Sequence, residues 1–234
     1  MSARHCLVTG ANRGLGLAFC RQLLARGDRV VAACRHPGRA HELNQLAGEY
    51  PARLHLLPLE LTEPKSHAEL ARELPLVLGE AALDLLINNA GVLHSGERFG
   101  HVEATTLDHS VRTNAIGPFL LTQALAPRLA DGATVANLSS GYGSIGDLDG
   151  FHTPSYCISK AALNMATALL ARALAERGII VLALSPGWVQ TDMGGTQAEL
   201  TPMQAVRGLL QVIDDADASR SGGFYDWQGQ PVPW

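Results

Sequence analysis

Thr9-Gly10-Ala11-Asn12-Arg13-Gly14-Leu15-Gly16 follows the short apolar run Cys6-Leu7-Val8 and opens a helical pattern over residues 15–26. Glycines between a first strand and a first helix let the backbone approach a pyrophosphate. The helix N-terminus then favours its negative charge. The spacing is G-x-x-x-G-x-G rather than the commoner G-x-G-x-x-G, so Gly10, Gly14 and Gly16 carry the turn, with Asn12, Arg13 and Leu15 between them. A glycine cluster alone reads as an ordinary turn; its place at the first strand–helix junction makes it a dinucleotide-binding turn.

Outward from this turn, short apolar runs alternate with longer helical patterns. Strands are expected at residues 5–9, 29–33, 53–59, 83–88, 134–138 and 179–185, and helices at 15–26, 39–49, 66–78, 105–129 and 155–177. Near-continuous apolar strands separated by helices imply a parallel sheet covered on both faces. The expected fold is α/β: one doubly wound Rossmann domain over residues 1–234, closed by a helix at 202–213 and a strand at 223–225. Pro127 should bend or end the fourth helical stretch, and Gly178 should cap the fifth.

Composition narrows the partners. Hydrophobic residues make up 47% of 234, charged residues 17%, and the formal charge is −4. That charge argues against nucleic acid, which needs a basic face, so a small-molecule partner is expected. Only five residues precede the first apolar run, and no run reaches membrane-spanning length. A cytoplasmic protein without membrane association is the expectation. Cys6, Cys20, Cys34 and Cys157 show no C-x-x-C pairing, so neither a disulfide framework nor a metal site is expected. The first three read as small core residues, while Cys157 has a place near the pocket.

The second strand ends at Ala33-Cys34-Arg35, with no carboxylate for a ribose 2′-hydroxyl. Arg35 and Arg13 suit a 2′-phosphate instead, which predicts NADP(H) over NAD(H), with NAD(H) the lesser alternative. Tyr156 and Lys160 lie four apart on one helix face, in a chain with only two lysines. A phenol needs about 4 kcal/mol to move from its ordinary pKa to neutrality. One cation about 4 Å away, at an effective dielectric of about 20, supplies roughly that.

These motifs occur together with Asn88-Asn89-Ala90-Gly91, Asn114, Ser139-Ser140 and Pro186-Gly187, followed by Thr191. In order and spacing the set resembles the short-chain dehydrogenase/reductase family over essentially the whole chain. A closer resemblance, to its C-factor and sniffer-like carbonyl reductases, rests on residues 137–145 (NLSSGYGSI), 159–164 (SKAALN), 186–195 (PGWVQTDMGG) and the ending Pro233-Trp234. The resemblance implies that Tyr156 is the general acid/base and that Lys160 sets its pKa and binds the nicotinamide ribose. It implies too that Ser140 orients the carbonyl oxygen, with Ser139 the alternative, and that Asn114 supports a proton-relay water. It adds Glu60, Leu61, Asn88, Ala90, Gly91, Pro186, Gly187, Val189 and Thr191 to the cofactor set. Glu60 departs from the family's usual aspartate, and the segment between Ser140 and Tyr156 is longer than the commonest spacing.

Leu93, His94, Phe151, His152, Trp188 and Met193 fall on loops after strand ends, where substrates bind in such sheets. They suggest an apolar ketone or aldehyde, or the corresponding alcohol. The two histidines read as polar lining. The alternative is an NADP(H)-binding signalling or sensor protein with little turnover. The long helices around Asn114 and Lys160 suggest a homodimer or homotetramer.

Overall fold

The computed structural model describes residues 3–234. Seven strands form one sheet: β1 (His5–Thr9), β2 (Arg29–Cys34), β3 (Leu54–Pro58), β4 (Leu83–Asn88), β5 (Leu129–Leu138), β6 (Ile180–Ser185) and β7 (Phe224–Asp226). Their order is β3-β2-β1-β4-β5-β6-β7, and every ladder is parallel. The helices are α1 (Gly14–Ala25), α2 (His41–Glu49), α3 (Pro64–Leu78), α4 (Ala104–Val111), α5 (Gly117–Leu125), α6 (Pro154–Ala173) and α7 (Pro202–Asp214). No helix among the described residues is long and apolar enough to cross a membrane.

Strand alternation divides the core into two layers. Cys6 and Val8 face a cluster with Phe19 and Leu23 of α1 and Leu209 of α7, whereas Leu7 between them faces Leu70, Leu74 and Leu121. Both faces of the strand are therefore apolar, and the sequence shows no polar alternation. Cys6, Cys20 and Cys34 are buried in the first cluster as expected. The chain reverses direction across the sheet between β1 and β4, which opens a crevice at their carboxyl ends.

The expected helix over 105–129 is broken. Residues Arg112–Ile116 form a π-helical turn between α4 and α5. Pro118 has no amide hydrogen to donate back along the helix, and a Cβ on Gly117 would lie 2.7 Å from Leu61, so the chain widens here and the Gly117 amide reaches Arg112 O. Pro127 does end the helical run, in a 3-10 turn at Ala126–Arg128. β5 starts earlier than its apolar half suggests, at Leu129, because its first residues pair with β4 through a register shift. Gly178 adopts φ 65 after the last turn, the left-handed cap that glycine tolerates.

Candidate active site

The crevice is walled by the glycine turn, the ends of β2, β4 and β5, and the loop after β6, enclosing about 250 Å³. The α1 N-terminus points its first amides here without a side-chain cap, and no acidic residue occupies its first turn. These amides are free for an anion. A Cβ on Gly10 would lie 2.9 Å from Ala90 Cα, and one on Gly16 would lie 2.7 Å from Asn89 Nδ2, so glycine is needed where the two loops meet. Asn89 stitches them together, donating through Nδ2 to Thr9 O at 2.9 Å while its amide reaches Thr9 Oγ1 at 3.0 Å.

Tyr156 and Lys160 form the inner wall, 7% and 4% exposed. The Lys160 ammonium donates to Leu138 O at 2.6 Å and lies 5.5 Å from the Tyr156 ring centroid. Burial lowers its pKa to about 8. Burial also raises the phenol to about 12, against which a hydrogen bond with Ser140 pulls down. The expectation that Lys160 brings the phenol toward neutrality nearly alone meets an opposing effect, the burial that raises the phenol. The ammonium lies against the ring and is itself desolvated, and loss of water around the phenolate outweighs the rest.

The two serines differ in their partners, and of the two it is Ser139 that walls the crevice. Ser139 Oγ donates to Asn164 Oδ1 at 2.6 Å and is committed to α6, while Ser140 meets the phenol and accepts from Tyr142 N at 3.2 Å. Asn114 sits in the π turn. Its Nδ2 donates to Val92 O at 2.8 Å and Ser159 Oγ at 2.9 Å, and its Oδ1 accepts from Val92 N at 2.8 Å. Both amide hydrogens are spent, so any water at this residue would meet Oδ1 or the main chain. A Cβ on Gly91 would stand 3.1 Å from that Oδ1 and 3.7 Å from Lys160 Nζ.

The family model described as short chain dehydrogenase matches residues 4–201. The chain belongs to the short-chain dehydrogenase/reductase family. Within the family it is similar to an NADPH-bound carbonyl reductase from chicken fatty liver, at 39% identity and a TM-score of 0.94 over 100% of both chains. The carbonyl reductase Sniffer of D. melanogaster gives 32% and 0.94, again over both whole chains. The C-signal of Myxococcus xanthus is 42% identical over 154 residues, covering 65% of this chain and 93% of that protein. These similarities place it in the carbonyl reductase branch.

Most of this dehydrogenase/reductase's expected residues come together. Gly10, Asn12, Arg13, Gly14, Leu15, Arg35, Glu60, Ala90, Gly91, Tyr156, Lys160, Pro186, Thr191 and Met193 wall the crevice. Arg13 holds Asp192 at 2.9 Å across its mouth, an exposed pair. Glu60 Oε1 takes Thr62 N and Oγ1. Gly187, at φ 77, turns the chain where a Cβ would lie 2.9 Å from Leu200.

Other expectations need correction. Asn88, expected both to stabilise the sheet centre and to pass the ribose, is 2% exposed and donates to Thr122 Oγ1 and Asn137 Oδ1, so it braces β4 against β5 and is not on the crevice wall. Leu61 and Val189 are buried, the first in the core beside α3 and α5 and the second at a bridge to Leu200. Of the six pocket candidates only Met193 walls the crevice. Phe151 stacks edge-on with Phe99, His152 faces Asp149, Trp188 donates to Gly194 O, and His94 pairs with His109 at 3.1 Å. Leu93 stays on the β4–α4 loop, and Cys157 donates to His152 O. Asn89, His109, Thr113 and Asp192 wall the crevice and are absent from the expectation. His109 and Thr113 carry a legible signal: four apart, they share a helix face one residue short of Asn114.

A larger groove of about 860 Å³ runs along α6 between Ala161, Met165, Ala168 and Trp234. Among the described residues lining it, Arg172 is the one with a titratable side chain, whereas Tyr156 and Lys160 wall the smaller crevice.

Proposed function

We propose that this oxidoreductase reduces a small, apolar ketone or aldehyde with NADPH, or oxidises the corresponding alcohol. The observation that carries the reading is the burial of Tyr156 and Lys160 side by side beneath an uncapped helix N-terminus and its glycine turn. The residues fit a dinucleotide: free first-turn amides for the pyrophosphate, and a buried Thr113 hydroxyl on the wall with no hydrogen-bond partner. Gly10, Asn12, Gly14 and Leu15 would hold the pyrophosphate side, with Lys160, Pro186 and Thr191 on the nicotinamide side. Bound NADPH supplies the hydride.

In reduction, the Tyr156 phenol would give its proton to the carbonyl oxygen, and Ser140 would hold that oxygen. A phenol raised to about 12 is fully protonated at neutral pH, as a proton donor must be. Lys160, still cationic below about 8, stabilises the phenolate left behind. Asn114 keeps the Val92 loop in place and offers Oδ1 to a relay water beside Lys160. Replacing Gly91 with alanine inserts a methyl between Asn114 and Lys160 at a φ that alanine accepts. Gly91→Ala should keep its melting temperature and lose about 10-fold in kcat, through displacement of these two groups. Steady-state kinetics beside a thermal melt checks this.

Arg35 and Arg13 both wall the crevice and would hold a 2′-phosphate, Arg13 on exchanging Asp192 for it, and no acid stands at the end of β2. NADP-bound neighbours support the same preference. Arg35→Ala should lower kcat/KM for NADPH about 10- to 100-fold, the worth of a charge-assisted hydrogen bond, and leave NADH nearly unchanged. Equal losses with both cofactors would refute the phosphate role.

The similarity to C-signal favours a second reading, an NADP(H)-binding signalling protein with little turnover. NADPH oxidation against a panel of aldehydes, ketones and quinones tests the two. Turnover abolished by Tyr156→Phe supports the reductase; tight NADPH binding with no turnover supports the sensor. An exposed apolar stripe on α6, Ile158, Met165 and Leu169, supports a homodimer, which light scattering tests.

A further inference from the structure

We propose that Glu97 is a positioning residue: from the β4–α4 loop, its carboxylate caps α6 and so fixes Tyr156 in the crevice. The proposal rests on the proton-donor reading of Tyr156. The argument begins with the amides of the first turn of α6. Pro154 has none, and Tyr156 N and Cys157 N both donate to Thr153 O, at 2.9 and 3.0 Å. Ser155 N is left over. Thr153, at the helix's own capping position, has φ 34 and ψ 58 and gives no side-chain cap. The missing acceptor comes from 58 residues away: Glu97 Oε2 takes Ser155 N at 3.2 Å and Ser155 Oγ at 2.8 Å.

The contact couples three elements. Ser155 is fully buried, and its Oγ also accepts from Ser110 Oγ of α4 at 3.2 Å. A relay of hydroxyls therefore runs from α4 through the start of α6 to the loop that carries Gly91 and Val92. A carboxylate at a helix N-terminus gains from both the free amide and the helix dipole. Tyr156 is the next residue, one turn before Lys160. Without the cap, the first turn frays and the phenol loses its fixed direction toward the substrate oxygen. Glu97 is not among the described residues that wall the crevice, and its hydrogen bonds go to Ser155, so its effect passes through the helix start.

The test uses the full chain, NADPH and whichever carbonyl compound the panel identifies. Glu97→Ala should lower kcat about 10-fold and leave the NADPH dissociation constant unchanged, while amide hydrogen exchange speeds up at residues 155–157. Glu97→Gln should return most of kcat, because its side-chain carbonyl accepts from the same Ser155 groups. The proposal is overturned if Glu97→Ala leaves kcat and exchange as in the parent, if glutamine does no better than alanine, or if NADPH affinity falls in step with kcat. Tyr156→Phe runs beside them. Parent-like turnover in that variant removes the proton-donor reading, whereas exchange at the start of α6 still decides the cap by itself.

Discussion

Tyr156→Phe should bind NADPH as tightly as the parent and reduce carbonyl compounds about a thousandfold more slowly, within the range a positioned general acid contributes. The substitution deletes one oxygen from a side chain only 7% exposed and keeps the ring that the Lys160 ammonium lies against. Folding and cofactor affinity therefore survive, and the loss appears in kcat. The phenol's partner, Ser140, keeps its acceptance from Tyr142 N, so the helical turn that carries it is not disturbed. Fluorescence titration with NADPH, run beside steady-state kinetics, separates the two quantities. A matching loss in both would mean that the hydroxyl serves binding.

Lys160→Met should abolish turnover to a similar extent and weaken NADPH, because it removes the cation beside the phenol and a donor on the nicotinamide side. The same variant carries a stability signature. Burial lowers the lysine from 10.5 to about 8, so between these values the folded chain has released a proton that the unfolded chain still holds. Stability conferred at this site is thus complete above the ordinary lysine value and is lost as pH falls through about 8. Methionine has no such dependence. The stability of Lys160→Met relative to the parent should be most favourable near pH 6.5 and should decline by on the order of 3 kcal/mol toward pH 10.5. Leu138 O loses its donor at every pH, so that cost cancels in the comparison. Denaturant melts at both pH values measure it. In the parent, carbonyl reduction should fall as pH rises through about 8, when Lys160 loses its charge and the phenol is still protonated.

The fold was legible because its signals are local and physical. Apolar strands buried on both faces carry no alternation, and the glycine turn marks the first strand–helix junction. The helix break was harder to see: Pro118 sits inside an otherwise periodic stretch, and the π turn that absorbs it depends on Leu61 pressing against Gly117 from another element. Tyr156 and Lys160 were readable from their i, i+4 spacing. What spacing could not convey was the balance of desolvation against charge, which raises the phenol. Nor does sequence distinguish Asn88 from Asn89, two adjacent amides on opposite sides of a strand end, one inside the sheet and the other in the crevice. The loop residues proved least legible, since Phe151, His152 and Trp188 meet neighbours on their own or adjoining loops.

The central claim is that the crevice moves a hydride from NADPH and a proton from Tyr156 to one carbonyl group. Initial rates of NADPH oxidation by the parent chain and by Tyr156→Phe, with the carbonyl panel and saturating cofactor, test it most directly. Turnover in the parent and about a thousandth of it in the variant is the predicted result. Equal rates in the two proteins would contradict it.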